Sequence, residues 1–236
     1  MGIKAVLFDL DGTLLPMDQE IFTKEYFASL AKNLARYGYE PDRLIRAIWL
    51  GSASMVKNDG SLTNEEVFWN KFSEIYGDRV REDRAYFEAY YFEDFDRTKR
   101  VCGYNPKAVE CVNEIKSLGI RIALATNPLF PSIATEKRAE WAGLNIKDFE
   151  LYTTYENSHF AKPNPEYYEE ILQKMQISPD EVLMVGNDVT EDMVASTLGM
   201  KVFLINDNLI NRENRDISIY PNGNFDDLIN YVKKNA

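Results

Sequence analysis

Cysteine is scarce in this chain. The 236 residues hold only Cys102 and Cys111. Their spacing fits neither a zinc pattern nor a C-x-x-C redox pair. A disulfide framework is excluded, a reducing compartment is the simpler reading, and both thiols are expected to be small buried or half-buried groups. Histidine is scarcer still, with His159 alone. No apolar run approaches the roughly 20 residues of a membrane span. The first residues carry no basic region or cleavage site, so no secretory signal is expected. A myristoylation motif wants Ser or Thr where Val6 stands. By elimination the expected location is cytoplasmic. Repeats and low-complexity tracts are also missing. Cations are in deficit, with 27 Lys and Arg against 38 Asp and Glu, a net charge of −11. That balance argues against general binding to nucleic acid or anionic lipid, which are both polyanions. It leaves a small anionic substrate open, because a few local cations and a metal can reverse the field in one cleft.

What is present is ordinary for a globular protein. Hydrophobic residues make up 45% of the chain and charged ones 28%, enough for a core without structural metal. Residues 3–10 read as a strand buried on both faces, and Asp11-Gly12 as the turn after it. From 14 to 100 no strand pattern appears. Helical periods dominate at 20–37, 42–56, 64–76 and 84–95. More than half of the aromatics fall in this stretch, in clusters such as Trp69, Phe72 and Tyr76. It reads as a small helical bundle that could stand as a lobe. Beyond Gly103, strand and helix alternate. Strands are expected at 120–125, 149–154, 181–185 and 201–205. Helices are expected from Asn105-Pro106 to Gly119 and at 131–142, 165–175, 190–198 and 224–233. The implied fold is α/β, a doubly wound parallel sheet with an inserted all-helical cap. Residues 1–14 and 101–236 would form the α/β core domain, and 15–100 the helical cap domain.

Ligands of such sheets bind beyond the carboxyl ends of the strands. Asp9 and Asp11 follow the first strand, Thr126 and Asn127 the second. His159 and Lys162 lie in the loop after the third. Asn187, Asp188, Glu191 and Asp192 follow the fourth. Carboxylates gathered in one cleft repel each other without a cation. Hard oxygen donors without Cys or His favour Mg²⁺. A metal with Lys162, Thr126 and Asn127 would suit a phosphoryl group. Two aspartates two positions apart at a strand end should point the same way, one to attack phosphorus and one to handle protons. His159 is expected to be a loop residue with a backbone partner. The aromatic stretch 86–95 reads either as a lid over the cleft or as packing within the bundle.

The set Asp9-Leu10-Asp11-Gly12-Thr13-Leu14, Thr126-Asn127, Lys162-Pro163 and Gly186-Asn187-Asp188-Val189-Thr190-Glu191-Asp192 resembles the four motifs of the haloacid dehalogenase-like superfamily, in order. The helical insertion resembles the cap of its phosphoglycolate phosphatase and β-phosphoglucomutase-like branch. The resemblance implies a Mg²⁺-dependent phosphatase of small phosphorylated metabolites. Asp9 would be the nucleophile that takes the phosphoryl group, and Asp11 the acid and then the base. Thr126, Asn127 and Lys162 would bind phosphate. Asp9, the Asp11 carbonyl and Asp188 would hold the metal, with Asp192 and Asn187 in support. The fourth motif usually begins Gly-Asp, but here Asn187 stands second. Either Asp188 takes the ligand position, or the register shifts toward Glu191 or Asp192. The rival readings are a phosphomutase, disfavoured by a cap without histidine, and a non-catalytic module, disfavoured by intact motifs. Asp11 disfavours a dehalogenase. No nucleic-acid or membrane partner is expected, and the chain would be a monomer or a dimer.

Overall fold

The computed structural model describes residues 2–236. Six strands form one parallel sheet: β1 (Ala5–Phe8), β2 (Arg121–Leu124), β3 (Leu151–Tyr152), β4 (Val182–Gly186), β5 (Lys201–Ile205) and β6 (Asn222–Gly223). Their order across the sheet is β3-β2-β1-β4-β5-β6. The chain winds outward in both directions from β1, which pairs with β2 on one side and β4 on the other. Phe8 therefore stands level with Leu124 and Val185, and the three strand ends that carry the motifs open on one edge. That edge, where the winding reverses, is where a doubly wound sheet forms its crevice.

Period-two alternation covers both faces of the sheet. Val6, Phe8, Ile122, Leu124, Leu183 and Val185 pack on one side with Cys111, Val112 and Ile115 of α5 (Pro106–Ser117) and Leu228 and Val232 of α8 (Phe225–Asn235). Ala5, Leu7, Ala123, Val182 and Met184 pack on the other with Tyr167, Tyr168 and Ile171 of α7 (Pro165–Met175). β1 is buried along its whole length, so it tolerates no polar side chain before Asp9.

Four helices fill the long interval between β1 and β2: α1 (Gln19–Leu34), α2 (Pro41–Val56), α3 (Asn64–Tyr76) and α4 (Arg84–Glu93). Local signals set their ends. The Asp18 carboxylate accepts the amides of Glu20 and Ile21 at the start of α1. Thr63 and Glu66 make a reciprocal capping box at the start of α3. Entry and exit of the interval lie side by side, where Met17 and Cys102 form an antiparallel bridge. The helices are tied to the strand-end loops. The Asn64 backbone amide donates to Ser158 O at 2.8 Å, and its side chain donates to Pro128 O and Phe160 O. They also share one continuous apolar cluster with the α5 side of the sheet.

The structure departs from the sequence reading at several ends. The helix expected at 20–37 finishes in a 3₁₀ turn at Ala35–Tyr37, and the one at 84–95 stops at Glu93. The third strand shrinks to Leu151–Tyr152. Residues 190–198 are not an α-helix. A turn leads into a 3₁₀ helix at Met193–Leu198, because Asp192 is drawn inward to Lys162 rather than left at a helix start. β6 was not anticipated; a two-residue strand has no period to read. Cys102 and Cys111 are free thiols. Among the described residues no helix is long and apolar enough to cross a membrane.

Candidate active site

Asp9 is the first residue beyond β1, and its two carboxylate oxygens have different partners. Lys162 donates to Oδ1 at 2.8 Å, and the Thr13 hydroxyl lies 3.0 Å from Oδ2. The same hydroxyl lies 2.9 Å from Asn187 Oδ1, so its one hydrogen serves two acceptors. Gly12 keeps this junction tight. Its φ is +87°, and a Cβ there would meet Asn187 Nδ2 at 2.5 Å.

Lys162 is fully buried and also donates to Asp192 Oδ1 at 2.6 Å. Burial alone would lower its pKa, but Asp192 and Asp9 outweigh this and hold it well above the usual lysine value. Lys162 is therefore charged. Burial raises the Asp192 carboxyl against the pull of Lys162. The other Asp192 oxygen accepts the Asp188 amide at 2.9 Å. Gly186 makes room for this carboxylate, since a Cβ there would lie 2.0 Å from Asp192 Oδ2.

The fourth-strand loop resolves into separate tasks. Asn187 joins Thr13 to the 206–212 loop, donating to Asn208 O at 2.7 Å. Asp188 Oδ1 accepts the amides of Thr190 and Glu191 at 2.7 and 2.9 Å, and its second oxygen has no donor among the described residues. Glu191 Oε2 accepts from Asn127 Nδ2 at 3.1 Å. Thr126 is buried, and its carbonyl is fixed by the hydroxyls of Thr153 at 2.6 Å and Tyr167 at 2.8 Å. The Thr126, Asn127, Lys162 and Asp188 segments are thus brought to one edge around Asp9.

Asp11 is where period-two reasoning fails. β1 ends at Phe8, so Asp9 and Asp11 are not both on a strand. The Asp11 carboxylate turns to Arg138 of α6 (Ser132–Trp141), while its Oδ1 is buried without a partner. Burial raises its pKa, Arg138 lowers it, and Asp9 raises it again; the net shift is upward. Arg138 is fully buried, hydrogen-bonded to Ala134 O at 3.1 Å, with its guanidinium 4.5 Å over the Phe130 ring. The sequence reading missed Arg138. A signal existed: it follows Ala134 by four and precedes Trp141 by three, on the buried stripe of its helix. The reading also gave no role to Tyr167 and Tyr168, which close the floor of the site.

His159 is not in this cluster. Its ring pairs with Glu170 at 2.8 Å, and its amide donates to the same carboxylate. The partner is a side chain on α7 rather than backbone.

The model of the haloacid dehalogenase-like hydrolase family matches residues 3–196. The chain belongs to this family. Over 110 residues it is 30% identical to the glyceraldehyde 3-phosphate phosphatase of Methanothermobacter thermautotrophicus, a match covering 46% of this chain and 47% of that protein. It is 24% identical over 201 residues to the pyrophosphatase PpaX of Bacillus cereus, covering 85% of this chain and 82% of that one. A HAD phosphatase from Thermococcus onnurineus shares the fold, with a TM-score of 0.59 at 20% identity over 98% of both chains.

The donor set of this haloacid dehalogenase-like hydrolase fits a hard divalent cation. Asp9, Asp11, Asp188, Glu191 and Asp192 crowd around Lys162 and Arg138, with Lys24 and Arg212 further out on the cleft wall. Asp11 Oδ1 has no partner among the described residues, the single imidazole is engaged by Glu170, and burial raises the Cys102 thiol to about 11. Among the described residues no three acidic, His or Cys side chains form a ready-made cage. Mg²⁺ needs none, because it is held by one or two carboxylates, waters and substrate phosphate.

Proposed function

We propose that the protein is a cytoplasmic, Mg²⁺-dependent phosphatase of small phosphorylated compounds that works through an aspartyl-phosphate on Asp9. The observation that carries this reading is Lys162. A fully buried ammonium spans Asp9 and Asp192 at 2.8 and 2.6 Å, at the carboxyl end of the central strand. That arrangement supports Asp9 as the nucleophile, with a buried cation beside it for a phosphoryl group. The names of the relatives support the same reading.

In the first step an Asp9 oxygen bonds to phosphorus and the ester P–O bond breaks. The departing alcohol takes its proton from Asp11. In the second step water attacks phosphorus, gives its proton to Asp11, and the Asp9–phosphorus bond breaks to release phosphate. Asp11 must exchange its Arg138 partner for the reacting oxygen in each step. Arg138 is a positioning residue that holds Asp11 between them. Thr126, the Asn127 backbone and Lys162 hold the phosphoryl oxygens. Asp9, the Asp11 carbonyl and Asp188 would hold Mg²⁺, with Asn187 and Asp192 in support. The metal would neutralise phosphoryl charge that Lys162 alone leaves uncompensated. Asp188 suits the ligand position better than Asp192, both of whose oxygens are engaged by Lys162 and the Asp188 amide, while Glu191 has one oxygen bonded to Asn127 and stays in reserve. Residues 15–100 form the cap domain over the cleft, on a hinge at Met17 and Cys102. Transfer to a second acceptor is disfavoured, since the single histidine is engaged by Glu170.

Borohydride reduces an acyl phosphate at aspartate to homoserine. Reaction quenched with borohydride should yield homoserine at position 9 only when substrate and Mg²⁺ are both present. Turnover with no modified residue 9 would exclude the covalent route.

A further inference from the structure

The cleft does not end at the charged edge. Behind it lies a cavity of about 170 Å³ between the helical interval and the strand-end loops. Phe27, Trp49, Phe68, Trp69, Tyr91 and Phe130 belong to its largely aromatic wall, and no charged residue among the described ones lines it. Two of its hydroxyls are already used: Tyr26 and Tyr91 bond each other at 2.8 Å. Burial raises both phenols, Tyr26 to about 12, so both stay neutral. Protein interiors leave few voids larger than a water molecule. A largely apolar space of this size is therefore a feature to be explained.

The cavity adjoins the site. Thr23, Phe27, Trp49, Leu129 and Phe130 line both it and the 600 Å³ cleft that contains Asp11 and Asn127. Phe130 also carries the Arg138 guanidinium that holds Asp11. Trp49 stands at the junction and is 55% exposed, an aromatic presented to an entering ligand. An ester whose phosphoryl group sits at Asp9 has its leaving group directed toward this space or toward solvent.

We propose that the cavity binds the leaving group of the substrate, and that this group is apolar and about the size of one ring. The inference rests on the phosphatase reading above and adds the substrate class. A dry cavity of about 150 Å³ lined by aliphatic and aromatic side chains holds benzene, so the size matches. A sugar would bring several hydroxyls against a wall whose remaining polar groups are Thr23, Ser52, Tyr155 and the indole N–H groups, Trp69's unpartnered, and each hydroxyl left unpaired disfavours binding. Phosphate monoesters of compact aromatic or cyclic apolar alcohols are the class the wall selects.

The test uses the full chain with Mg²⁺ and three esters of primary alcohols: benzyl phosphate, glycerol 3-phosphate and glucose 6-phosphate. All three release a primary alcohol with its proton from Asp11, so leaving-group chemistry contributes little to the ranking. Benzyl phosphate should exceed the other two in kcat/KM by about 100-fold. Ser52 lines the cavity, and Ser52→Phe should fill it. That variant should cut the benzyl-to-glycerol ratio at least about tenfold. Toluene gives a readout that needs no catalysis. It should raise the thermal midpoint of the wild type and of Asp9→Asn, and not that of Ser52→Phe. Preference for either polar ester, or no toluene effect on the wild type, would overturn the proposal and leave the phosphatase reading standing. Toluene binding with no hydrolysis of any ester would overturn the phosphatase reading, and the leaving-group assignment with it. Should Ser52→Phe fail to fold, the wild-type ester ranking and toluene shift decide alone.

Discussion

The two walls of the cleft are built on opposite principles. At the sheet edge, charge is dense and almost every polar group is held by another: Asp9 by Lys162 and Thr13, Asp192 by Lys162 and the Asp188 amide. Across from it, the cavity wall carries no charge. Aromatic rings there meet edge to face, as Trp69 does with Phe87 at 5.4 Å and Phe68 with Trp69 at 5.5 Å. The contrast follows the chemistry of the proposed substrate. Every phosphate ester presents the same anion, so its wall can be preorganised once and held rigid. The rest of the molecule differs between substrates, and only packing reads it.

Breaking the charged wall should cost most. Lys162→Met removes the partner of two buried carboxylates at once. Stability should fall by about 3–5 kcal/mol in urea melts, and phosphate release should all but vanish. A variant as stable as the wild type would mean that Asp9 and Asp192 are less tightly held than the geometry has them. Arg138→Met leaves Asp11 in place but without its guanidinium. Its kcat should drop about 100-fold with KM little changed, the signature of misplacement near the reacting atoms. Arg138→Lys should restore only part, because a point charge cannot span Asp11 and Thr135 together. An unchanged kcat would remove Arg138 from the mechanism.

The apolar wall should yield smaller effects. Trp49→Ala should reduce kcat/KM for benzyl phosphate about tenfold, and a unit ratio would show that the junction is not used. The smallest effect lies outside both walls, at Glu170. Burial pushes its carboxyl up, but hydrogen bonds from Lys174 and from the His159 ring and amide hold it below the usual 4.5. A depressed carboxylate adds stability above its unfolded-state pKa, and the gain is lost as pH falls through the folded value. Wild type should exceed Glu170→Gln by at most about 1 kcal/mol at pH 7, with the gap closing below pH 4.5. A gap that persists into acid would trace to packing.

Legibility in the sequence divided along the same line. The charged wall was readable because strand ends and turns fix it locally. A four-residue buried run places Asp9, Gly12 forces the turn, and Gly186 opens space for Asp192. The sheet and most helices followed from period and caps. Two details of the charged wall were not readable. Arg138 reaches Asp11 across 127 positions of chain, and Asp192 replaces a helix start with an inward ion pair. Both depend on tertiary neighbours that no local window contains. The apolar wall was not readable at all. Phe87 and Tyr91 were seen as aromatic, but periodicity cannot tell a ring that fills a core from one that lines a void. Of the two readings of 86–95, packing holds for Tyr90, which is fully buried, while Phe87 and Tyr91 also face the cavity.

The central claim is that Asp9 attacks phosphorus in a metal-dependent site. Phosphate release from benzyl phosphate and glycerol 3-phosphate, with Mg²⁺ or with EDTA, in wild type and Asp9→Asn, tests it most directly. We predict release that needs both the metal and Asp9, with the variant at least about 10⁴-fold slower and still folded. Equal release by Asp9→Asn, or release untouched by EDTA, would contradict the account.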